Sequence, residues 1–378
     1  MYERAYIEVR TSSLLSNMRL LRQKVPQQAQ IMAVVKADGY GHGAAACARA
    51  ALAGGAEYLG VATVDEGAAL RGAKINAPIL VLSPLAPSAL PPAAQADLMV
   101  TVPSEAHAAA VSAFAQAANR VMPVHIKIDT GMHRIGFPHS ETDAVLRTAR
   151  LPGLRVAGMF SHFADADAPG ADYTDLQYAR FLAATEALTR GGLDTGLRHI
   201  ANSAGILRGK YAMDMVRAGI VFYGIAPSGL SGAAALRADG FLPALSLRSR
   251  VSFVCDVMPD EPVGYGGRYT TRRPSKLAAV SIGYADGYAR ALGNRGYVLI
   301  RGQAAALRGS VCMDQLVADV TDIPGVIPGD EVVLLGRQDK TEITAEGLAA
   351  LQGTIPYEVV TRLGQRLGRV VATDAEAL

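Results

Sequence analysis

A lysine followed at once by a glycine-rich stretch is the first feature of the sequence that could carry chemistry. Lys36 closes the apolar run IMAVVK, and residues 37–43 read ADGYGHG, with Tyr40 among three glycines. Burial disfavours the charged ammonium, so desolvation lowers the pKa of a lysine and makes its amine nucleophilic. Glycines let the backbone approach a ligand closely. A lone lysine at a strand end more often lays its stem along apolar surface, so a catalytic role needs support from other residues.

Polar side chains also follow several other apolar runs. They are Lys127, Asp129 and Arg134 after PVHI, His162, Asp165 and Asp167 after LRVAGMF, Asn202 and Ser203 in HIANSAG, and Arg217 before AGIVFYG. Each has an ordinary structural explanation when taken alone: His162 as a satisfied core histidine, for example, and Ser203 as a helix N-cap. If these polar side chains all lie on one rim, burying each of them costs free energy unless a shared ligand compensates. Their number therefore favours a common site.

The last of these segments favour an anion as part of that ligand. Backbone N–H groups at Gly219 and Ile220, the Ser203 hydroxyl and the Tyr40 phenol could all donate hydrogen bonds to a phosphate. The last strands of (β/α)8 barrels often form such phosphate sites. A nucleophilic lysine beside a phosphate site indicates pyridoxal phosphate, whose aldehyde carbon the amine of Lys36 would bind.

The spacing of the apolar runs indicates which elements hold these side chains. Strands are predicted near 31–36, 58–62, 78–82, 98–102, 123–128, 154–160, 197–201 and 213–217. Alanine-rich amphipathic stretches such as 103–118 lie between them, which is typical of βα units. Eight parallel strands close a (β/α)8 TIM-type barrel, whose active-site residues gather at the C-terminal ends of the strands.

The pattern changes after about residue 240. Apolar or alternating runs at 244–258, 276–284, 296–301, 304–308 and 314–320 are separated by turns, with one clear helix near 343–352. This pattern predicts a mainly antiparallel β domain. The overall prediction is an α/β fold, with a barrel at 11–240 and a β-rich domain at 241–378. The strand in residues 1–10 is expected to pair with the second domain.

Composition excludes several classes of protein. The 378 residues contain 37 Lys and Arg against 34 Asp and Glu, and this net charge of +3 is too small to drive binding to nucleic acid or membranes. No apolar run approaches the roughly 18 residues of a membrane span, and the start MYERAYIEVR lacks the apolar centre of a signal peptide. Three cysteines without metal-ligand spacing indicate neither a disulfide scaffold nor a metal site. A cytoplasmic enzyme is expected.

Eight segments of the chain together resemble the alanine racemase family of fold-type III pyridoxal phosphate enzymes. They occur in order between residues 33 and 362 and read AVVKADGYGHG, KIDTGMHRIGF, HIANSAG, VRAGIVFYG, VGYGGRYTT, VSIGYADGY, VCMDQ and PYEVVTR. The first and the sixth are the most specific to the family. The family fold is a (β/α)8 barrel followed by a β domain, in agreement with the prediction made from the apolar runs.

The resemblance implies pyridoxal phosphate-dependent racemisation of L- and D-alanine, which supplies D-alanine for peptidoglycan. Lys36 would bind the cofactor and act as the base on the D-isomer, and Tyr284 would be the base on the L-isomer. By the same resemblance Tyr40, Ser203, Gly219, Ile220 and Tyr357 would hold the phosphate, Arg217 the pyridine nitrogen, and Arg134 and the Met313 backbone the substrate carboxylate. Lys127 aligns with a lysine that the family often carries as a carbamate.

These implied roles are chemically coherent. Racemisation removes a proton from one face of Cα and returns one to the other, so two bases must flank that carbon. His162, between Tyr284 and Arg217, would stabilise the phenolate. Arg217 is a donor only, so it would keep the pyridine nitrogen unprotonated. The family implies a homodimer in which Tyr284 and Met313 complete the partner's site.

Three other functions stay open on the sequence. A fold-type III amino-acid decarboxylase would need a carboxylate at the pyridine nitrogen, and Arg217 argues against it. A broad-specificity or serine racemase would differ only in pocket shape. A pyridoxal phosphate homeostasis protein would be a barrel alone, without the residues that carry Tyr284.

Ser310 stands where many relatives have a basic residue at the substrate entrance, so the entrance is expected to differ.

Overall fold

Short apolar runs form a parallel barrel in the N-terminal part of the chain. The computed structural model describes residues 4–229 and 232–372, so residues 1–3, 230–231 and 373–378 of the predicted domains lie outside it. After β1 (Tyr6–Val9), the barrel strands are β2 (Gln30–Val34), β3 (Tyr58–Val61), β4 (Ile79–Val81), β5 (Met99–Val102), β6 (Met122–Asp129), β8 (Leu154–Phe160), β9 (Leu197–His199) and β10 (Met215–Ala218). The two-residue β7 (Phe137–Pro138) pairs with β6.

The strands pair in the order β10-β2-β3-β4-β5-β6-β8-β9. Backbone hydrogen bonds from Asp214 N to Arg198 O and from Arg217 N to Ala201 O bring β9 and β10 together, so the ring is nearly closed. The predicted eight-stranded (β/α)8 architecture is confirmed.

Helices follow the barrel strands in the predicted alternation. They are α1 (Thr11–Lys24), α2 (Lys36–Tyr40), α3 (Ala44–Ala53), α4 (Val64–Gly72), α5 (Leu90–Gln95), α6 (Glu105–Ala117), α7 (Thr142–Ala149), α8 (Asp172–Arg190), α9 (Ser203–Leu207) and α10 (Gly232–Ala238). The Ser104 hydroxyl caps α6, the helix predicted at 103–118, by accepting from His107 N. Among the helices described, none is long and apolar enough to cross a membrane.

The barrel interior is apolar toward the amino ends of its strands. Met32, Leu80, Met99 and Met215 form a separate buried cluster there. Inward-facing side chains at the opposite ends of the strands are polar, as described for the site below. The buried methionine and leucine cluster therefore fills one end of the barrel and leaves the carboxyl rim for function.

The C-terminal part of the chain is a mainly antiparallel sheet, as predicted. The strands that this part contributes to the sheet are β11 (Leu245–Val257), β14 (Ser275–Val280), β15 (Tyr297–Ile300), β16 (Gln303–Ala306), β17 (Leu316–Asp319), β18 (Glu331–Gln338), β19 (Thr341–Ile343) and β20 (Gly368–Val371), and the helices are α11 (Ala345–Gln352) and α12 (Pro356–Thr361). Strands β12 (Pro262–Val263) and β13 (Tyr269–Thr270) form a separate two-stranded sheet. The main path runs β16-β15-β18-β11-β1-β20. β1 pairs antiparallel with β11 and parallel with β20. The boundary at residue 240 stays a prediction.

Several predicted boundaries were wrong. The strand predicted at 31–36 ends at Val34, and the strand predicted at 276–284 ends at Val280, where turns begin. A second helix, α12, was not predicted because its six residues are too short to show a periodic pattern. The apolar strand β18 was also missed, although the Pro-Gly-Asp turn at 328–330 precedes it.

Candidate active site

Within α2, the residues after Lys36 form a left-handed turn rather than a regular right-handed helix. Ala37, Asp38, Gly39 and Tyr40 have φ values of 51°, 52°, 61° and 52°. We refer to residues 37–41 as the left-handed turn. This conformation costs about 1–2 kcal/mol for each residue that is not glycine, so contacts with the rest of the molecule must hold it.

Lys36 lies two residues beyond the end of β2, at the start of this turn. Burial lowers the pKa of Lys36, and the nearby Arg134 and Arg217 lower it further, whereas Glu66 raises it. The Glu66 carboxylate is engaged with the backbone, because it accepts from Ala37 N at 2.7 Å. The Lys36 amine is therefore neutral and nucleophilic at a lower pH than an ordinary lysine.

Lys36 lines a cavity of about 600 Å³ at the carboxyl rim of the barrel. Its lining includes four basic side chains, from Lys36, Lys127, Arg134 and Arg217, and no carboxylate from any residue that the structure describes. We call it the cationic cavity. Lys127 and Arg217 are buried, Lys36 is half-buried and Arg134 is exposed at the mouth. Burying cations without an opposite charge is costly, and an anion bound among them would offset that cost.

Arg217 is held rigidly in the wall of the cationic cavity, with an exposed fraction of 3%. Its Nη1 contacts His199 Nδ1 at 2.8 Å and donates to His199 O at 3.1 Å. Its Nη2 donates to Ser161 O at 2.7 Å and Ile200 O at 2.9 Å, and lies 3.0 Å from His162 Nδ1. None of these contacts uses Nε. Burial lowers the pKa of Arg217 to about 9, which still leaves the guanidinium charged at neutral pH.

The contacts of Arg217 set the protonation of its two histidine neighbours. A guanidinium only donates, so the Nδ1 atoms of His162 and His199 accept, and each neutral ring carries its proton on Nε2. Burial lowers the pKa of both histidines well below the usual value, and Arg217 acts in the same direction. His199 Nε2 then donates to His125 Nδ1 at 2.9 Å, whereas His162 lines the cavity and can donate there.

Ser203 and Gly219 form one side of the cavity. Asn202, rather than Ser203, is the N-cap of α9, because its side chain accepts from Gly205 N. The Ser203 Oγ instead accepts from Gly219 N at 3.0 Å and Val221 N at 3.3 Å, so its own proton remains available to an anion. A Cβ at Gly219 would lie 3.2 Å from the Tyr40 hydroxyl and 3.4 Å from Ser203 Oγ, so glycine keeps the space between these two hydroxyls open.

Two phenols lie beside Ser203. The rings of Tyr40, from the left-handed turn, and Tyr357, from α12, have centroids 6.2 Å apart, and both line the cavity. Burial raises the pKa of Tyr40 to about 12 and also raises the pKa of Tyr357. Both phenols therefore stay protonated at neutral pH and can donate hydrogen bonds. Ile220 lines the cavity next to Gly219.

Lys127 is a buried amine on β6. Its Nζ donates to Ile128 O at 2.9 Å. Burial lowers the pKa of Lys127 to about 7, with Arg217 acting in the same direction and Asp129 opposing it. A substantial fraction of the amine is consequently neutral at physiological pH.

Arg134 lines the cavity after a tight turn built by one carboxylate. Asp129 Oδ1 accepts from the N–H groups of Gly131, Met132 and His133 at 2.9, 3.0 and 3.2 Å. These bonds fold the chain back after β6 and direct it toward Arg134 at the rim. Most of the predicted rim residues thus line one cavity, but the three carboxylates Asp129, Asp165 and Asp167 do not.

Tyr284 and Met313 lie on the surface of the C-terminal sheet, and neither lines the cavity within the chain. Their exposed fractions are 43% and 53%. Backbone hydrogen bonds from Tyr284 N to Cys312 O and from Ala285 N to Met313 O join the two loops. A Cβ on Gly283 would lie 2.3 Å from both the Cys312 and Met313 carbonyl oxygens, so this close approach requires glycine.

Tyr265 is a further candidate that the sequence analysis did not select. Its exposed fraction is 76%. Gly264, Gly266 and Gly267 flank it with φ values of 70°, 73° and 54°. The Ser310 hydroxyl lies 3.5 Å from its carbonyl oxygen, which places Tyr265 beside the segment that leads to Met313. The glycines on both sides of the tyrosine in VGYGG are the signal that could have identified an outward-turned phenol.

Family models cover nearly the whole chain. The model for the alanine racemase N-terminal domain matches residues 9–227, and the model for the alanine racemase C-terminal domain matches residues 244–371. The chain is 42% identical over 367 residues to alanine racemase of Desulfovibrio desulfuricans, covering 97% of each protein. It is 39% identical to alanine racemase of Halothermothrix orenii, covering 96% of each.

Solved structures agree with this relationship. Alanine racemase from D-cycloserine-producing Streptomyces lavendulae superposes with a TM-score of 0.92 at 36% identity, covering 99% of this chain and 98% of that one. Alanine racemase of Bacillus anthracis with bound L-Ala-P gives a TM-score of 0.92 at 34% identity, covering 100% of this chain and 97% of that one. With the family models, these matches establish that the chain belongs to the alanine racemase family.

Proposed function

We propose that this chain interconverts L- and D-alanine with pyridoxal phosphate as cofactor. The observation that carries the proposal is the charge of the cationic cavity, in which Lys36, Lys127, Arg134 and Arg217 have no carboxylate among the described lining residues. Anions of the right size would balance these charges: the phosphate of the cofactor and the carboxylate of the substrate. The family relationship supports the same reaction, and D-alanine for peptidoglycan would be its use.

The residues present fit pyridoxal phosphate. The phosphate would be held by the hydroxyls of Tyr40, Ser203 and Tyr357, together with the Gly219 and Ile220 backbone. Gly219 N already donates to Ser203 Oγ, so its hydrogen bond would be shared or redirected when phosphate binds. Lys36 would bind the aldehyde carbon, and Arg217 Nε would donate to the pyridine nitrogen. When bound, pyridoxal phosphate withdraws electrons from the substrate Cα and makes its proton acidic.

Lys36 would carry one of the two proton transfers. Because its pKa is lowered, its amine can accept the Cα proton of D-alanine or donate one to form that isomer. Arg217 cannot give up a proton at neutral pH, so it keeps the pyridine nitrogen unprotonated. A decarboxylase of this fold type would be expected to have a carboxylate at the pyridine nitrogen. The assignment of Arg217 to that position, supported by the five contacts that hold its guanidinium in the cavity wall, argues against such an activity.

The second proton transfer would use a phenol of the C-terminal sheet on the opposite face of Cα. Tyr284 is the sequence-based candidate, and Tyr265 is a second candidate on the same surface. The exposed fractions, 76% for Tyr265 and 43% for Tyr284, favour Tyr265, because more of its side chain is accessible to a partner subunit. The Nε2–H of His162 would donate to the phenolate and stabilise it.

Lys127, Arg134 and Met313 would serve the substrate carboxylate. Arg134 would pair with it directly, and the Met313 backbone would donate to it. A neutral amine is the form that reacts with carbon dioxide, so the lowered pKa of Lys127 supports the carbamate implied by the family. That modification would replace a cation with an anion next to Arg134 and orient its guanidinium.

We infer that the active form is a homodimer with shared sites. Tyr265, Tyr284 and Met313 are exposed on one surface and do not line the cavity of their own chain. In a two-fold dimer, this surface of one subunit would cover the cavity of the other and complete it.

A direct assay tests the proposed function. The purified protein should show an absorbance band from bound cofactor that borohydride removes, and it should racemise L-alanine faster than L-serine or L-lysine. Lys36→Ala should lose both the covalently trapped cofactor and racemisation. Comparable rates on all three amino acids would favour a broad-specificity racemase. Release of carbon dioxide without racemisation would contradict the proposal and indicate a decarboxylase.

A further inference from the structure

A pair of charged residues connects the C-terminal strand to the left-handed turn. Arg369, on β20, has its Nε 3.1 Å from Asp38 Oδ2 and 3.0 Å from Gly41 O. Its Nη1 donates to Leu367 O, which fixes the guanidinium on its own strand. Asp38 Oδ1 accepts from Ala44 N at 2.9 Å, so the same carboxylate also ties the turn to the start of α3.

Helix α12 contacts the turn at a second point. A Cβ on Gly41 would lie 2.2 Å from Val360 O, so the backbones touch directly. The Tyr357 ring on the same helix lies beside the Tyr40 ring. The last fifteen or so described residues thus hold the turn from one side, through α12 and β20.

The turn needs such external contacts because its own backbone does not favour its shape. Ala37, Asp38 and Tyr40 all have φ values near 51° or 52°, where residues with a side chain are disfavoured. A backbone of this kind persists only where neighbouring groups determine it. Tyr40 is part of the turn, and its hydroxyl lies close to Gly219 and Ser203. If the backbone of the turn relaxed, this hydroxyl would move away from them.

We propose that Arg369 and Asp38 form a clasp that positions Tyr40 for the phosphate of the cofactor. This inference rests on the proposed function, because only there is Tyr40 assigned to the phosphate. The exposed fractions of the two side chains are 21% and 52%, and ion pairs this exposed contribute little to global stability. The clasp should therefore act on cofactor affinity far more than on the melting temperature.

Cofactor affinity can be measured with and without the phosphate. Arg369→Ala should raise the dissociation constant of pyridoxal phosphate about tenfold, which corresponds to about 1.4 kcal/mol. The dissociation constant of pyridoxal, which has no phosphate, should change less than about twofold, because the proposed role of Tyr40 is to bind the phosphate alone. Asp38→Asn keeps an acceptor for Ala44 N but removes the charge, and should shift affinity in the same direction. Arg369→Lys keeps the positive charge and should retain part of the wild-type affinity for pyridoxal phosphate.

Arg198→Ala is the matched control. Arg198 pairs with Asp214 at 2.7 Å, with exposed fractions of 35% and 34%, at the amino-terminal end of the barrel. Its loss should leave the affinity for pyridoxal phosphate unchanged. In a Tyr40→Phe background, Arg369→Ala should add little further loss, because the hydroxyl that the clasp positions is already absent.

Hydrogen exchange gives a readout independent of cofactor. In the cofactor-free protein, Arg369→Ala should speed exchange of the amides at 39–44, and Arg198→Ala should not. Unchanged exchange, or equal losses of affinity for pyridoxal phosphate and pyridoxal, would overturn the clasp. If the wild-type protein binds neither pyridoxal phosphate nor pyridoxal, the proposed function is wrong, and so is the role of the clasp in cofactor binding. This conclusion holds even if the exchange data show that Arg369 holds the turn.

Discussion

At the scale of single residues, the site is defined by cations that are buried close together. Lys36, Lys127 and Arg217 all have a lowered pKa, and burial is the largest cause in each case. Arg217 lowers the pKa of both lysines in addition. The same arrangement that makes the amines reactive therefore costs folding free energy, and an anionic ligand would recover part of that cost.

Lys127 should make stability depend on pH. Its pKa is about 7 in the folded chain against 10.5 for an unperturbed lysine. Between these values the unfolded chain holds one more proton, so stability rises with pH, by at most about 1.4 kcal/mol per pH unit. Below about pH 7 both states are protonated and the full penalty remains. Lys127→Met should remove this slope in cofactor-free protein, as measured by urea unfolding across the range.

The comparison should be made in buffer free of carbon dioxide, so that Lys127 stays an amine. Because all other groups titrate in both proteins, the difference between wild type and Lys127→Met isolates the contribution of Lys127. Parallel stability curves for the two proteins would show that the Lys127 pKa is not lowered.

At the scale of elements, the site depends on loops that approach each other through glycine. Gly283 lets the turn that carries Tyr284 pack against the loop that carries Met313. The two loops come from different parts of the C-terminal sheet, after β14 and before β17. Their relative position is therefore set by this backbone contact together with Arg4 and Arg366, whose guanidinium groups each pair with Asp286 and Asp314.

Gly283→Ala should separate these loops. The added methyl would meet two carbonyl oxygens at 2.3 Å, so we expect a loss of stability of about 2 kcal/mol or more and a larger loss of racemisation. Gly72→Ala is the control, because its Cβ would meet nothing within 4 Å at the end of α4. That variant should keep wild-type activity and stability. Equal behaviour of the two variants in thermal unfolding would contradict the role of the close contact.

The sequence predicts some of these features and not others, for a physical reason. Lys36, Ser203 and Arg217 could be grouped in advance because the carboxyl ends of parallel barrel strands converge, whatever the details of each loop. The left-handed turn could not be predicted, since its shape depends on Arg369, 328 residues from Gly41. The exposure of Tyr265 likewise depends on where its turn lies in the tertiary structure, and no local periodicity in the sequence predicts it.

At the scale of the whole molecule, the two sheets are interleaved along the chain. β1 begins the chain but lies in the C-terminal sheet, between β11 and β20. α12 returns to the barrel rim, where Tyr357 lines the cavity, and Arg369 of β20 contacts the left-handed turn. The cavity is therefore lined by barrel residues and by α12 of the C-terminal part, and in the proposed dimer a second subunit would cover its open side.

A shared site should allow two inactive proteins to restore activity. Lys36→Ala lacks the barrel base, and Tyr284→Phe combined with Tyr265→Phe lacks the candidate phenols. Random mixing makes half of the dimers mixed, each with one intact site, so about a quarter of wild-type activity should return. Subunit exchange must be verified by differently tagged chains. No recovery after verified exchange would show that each site lies within one subunit.

The most direct test of the account is hydrogen exchange at Cα of each enantiomer in deuterated water, for Tyr284→Phe and Tyr265→Phe separately. Loss of the phenol base should abolish exchange of L-alanine and racemisation, while Lys36 still exchanges the Cα hydrogen of D-alanine without inversion. One of the two variants should show exchange of D-alanine alone, and the other should still exchange and interconvert both enantiomers. If both variants, and the double variant, still interconvert the enantiomers at the wild-type rate, neither phenol is the second base and the proposed pairing of Lys36 with a phenol is wrong.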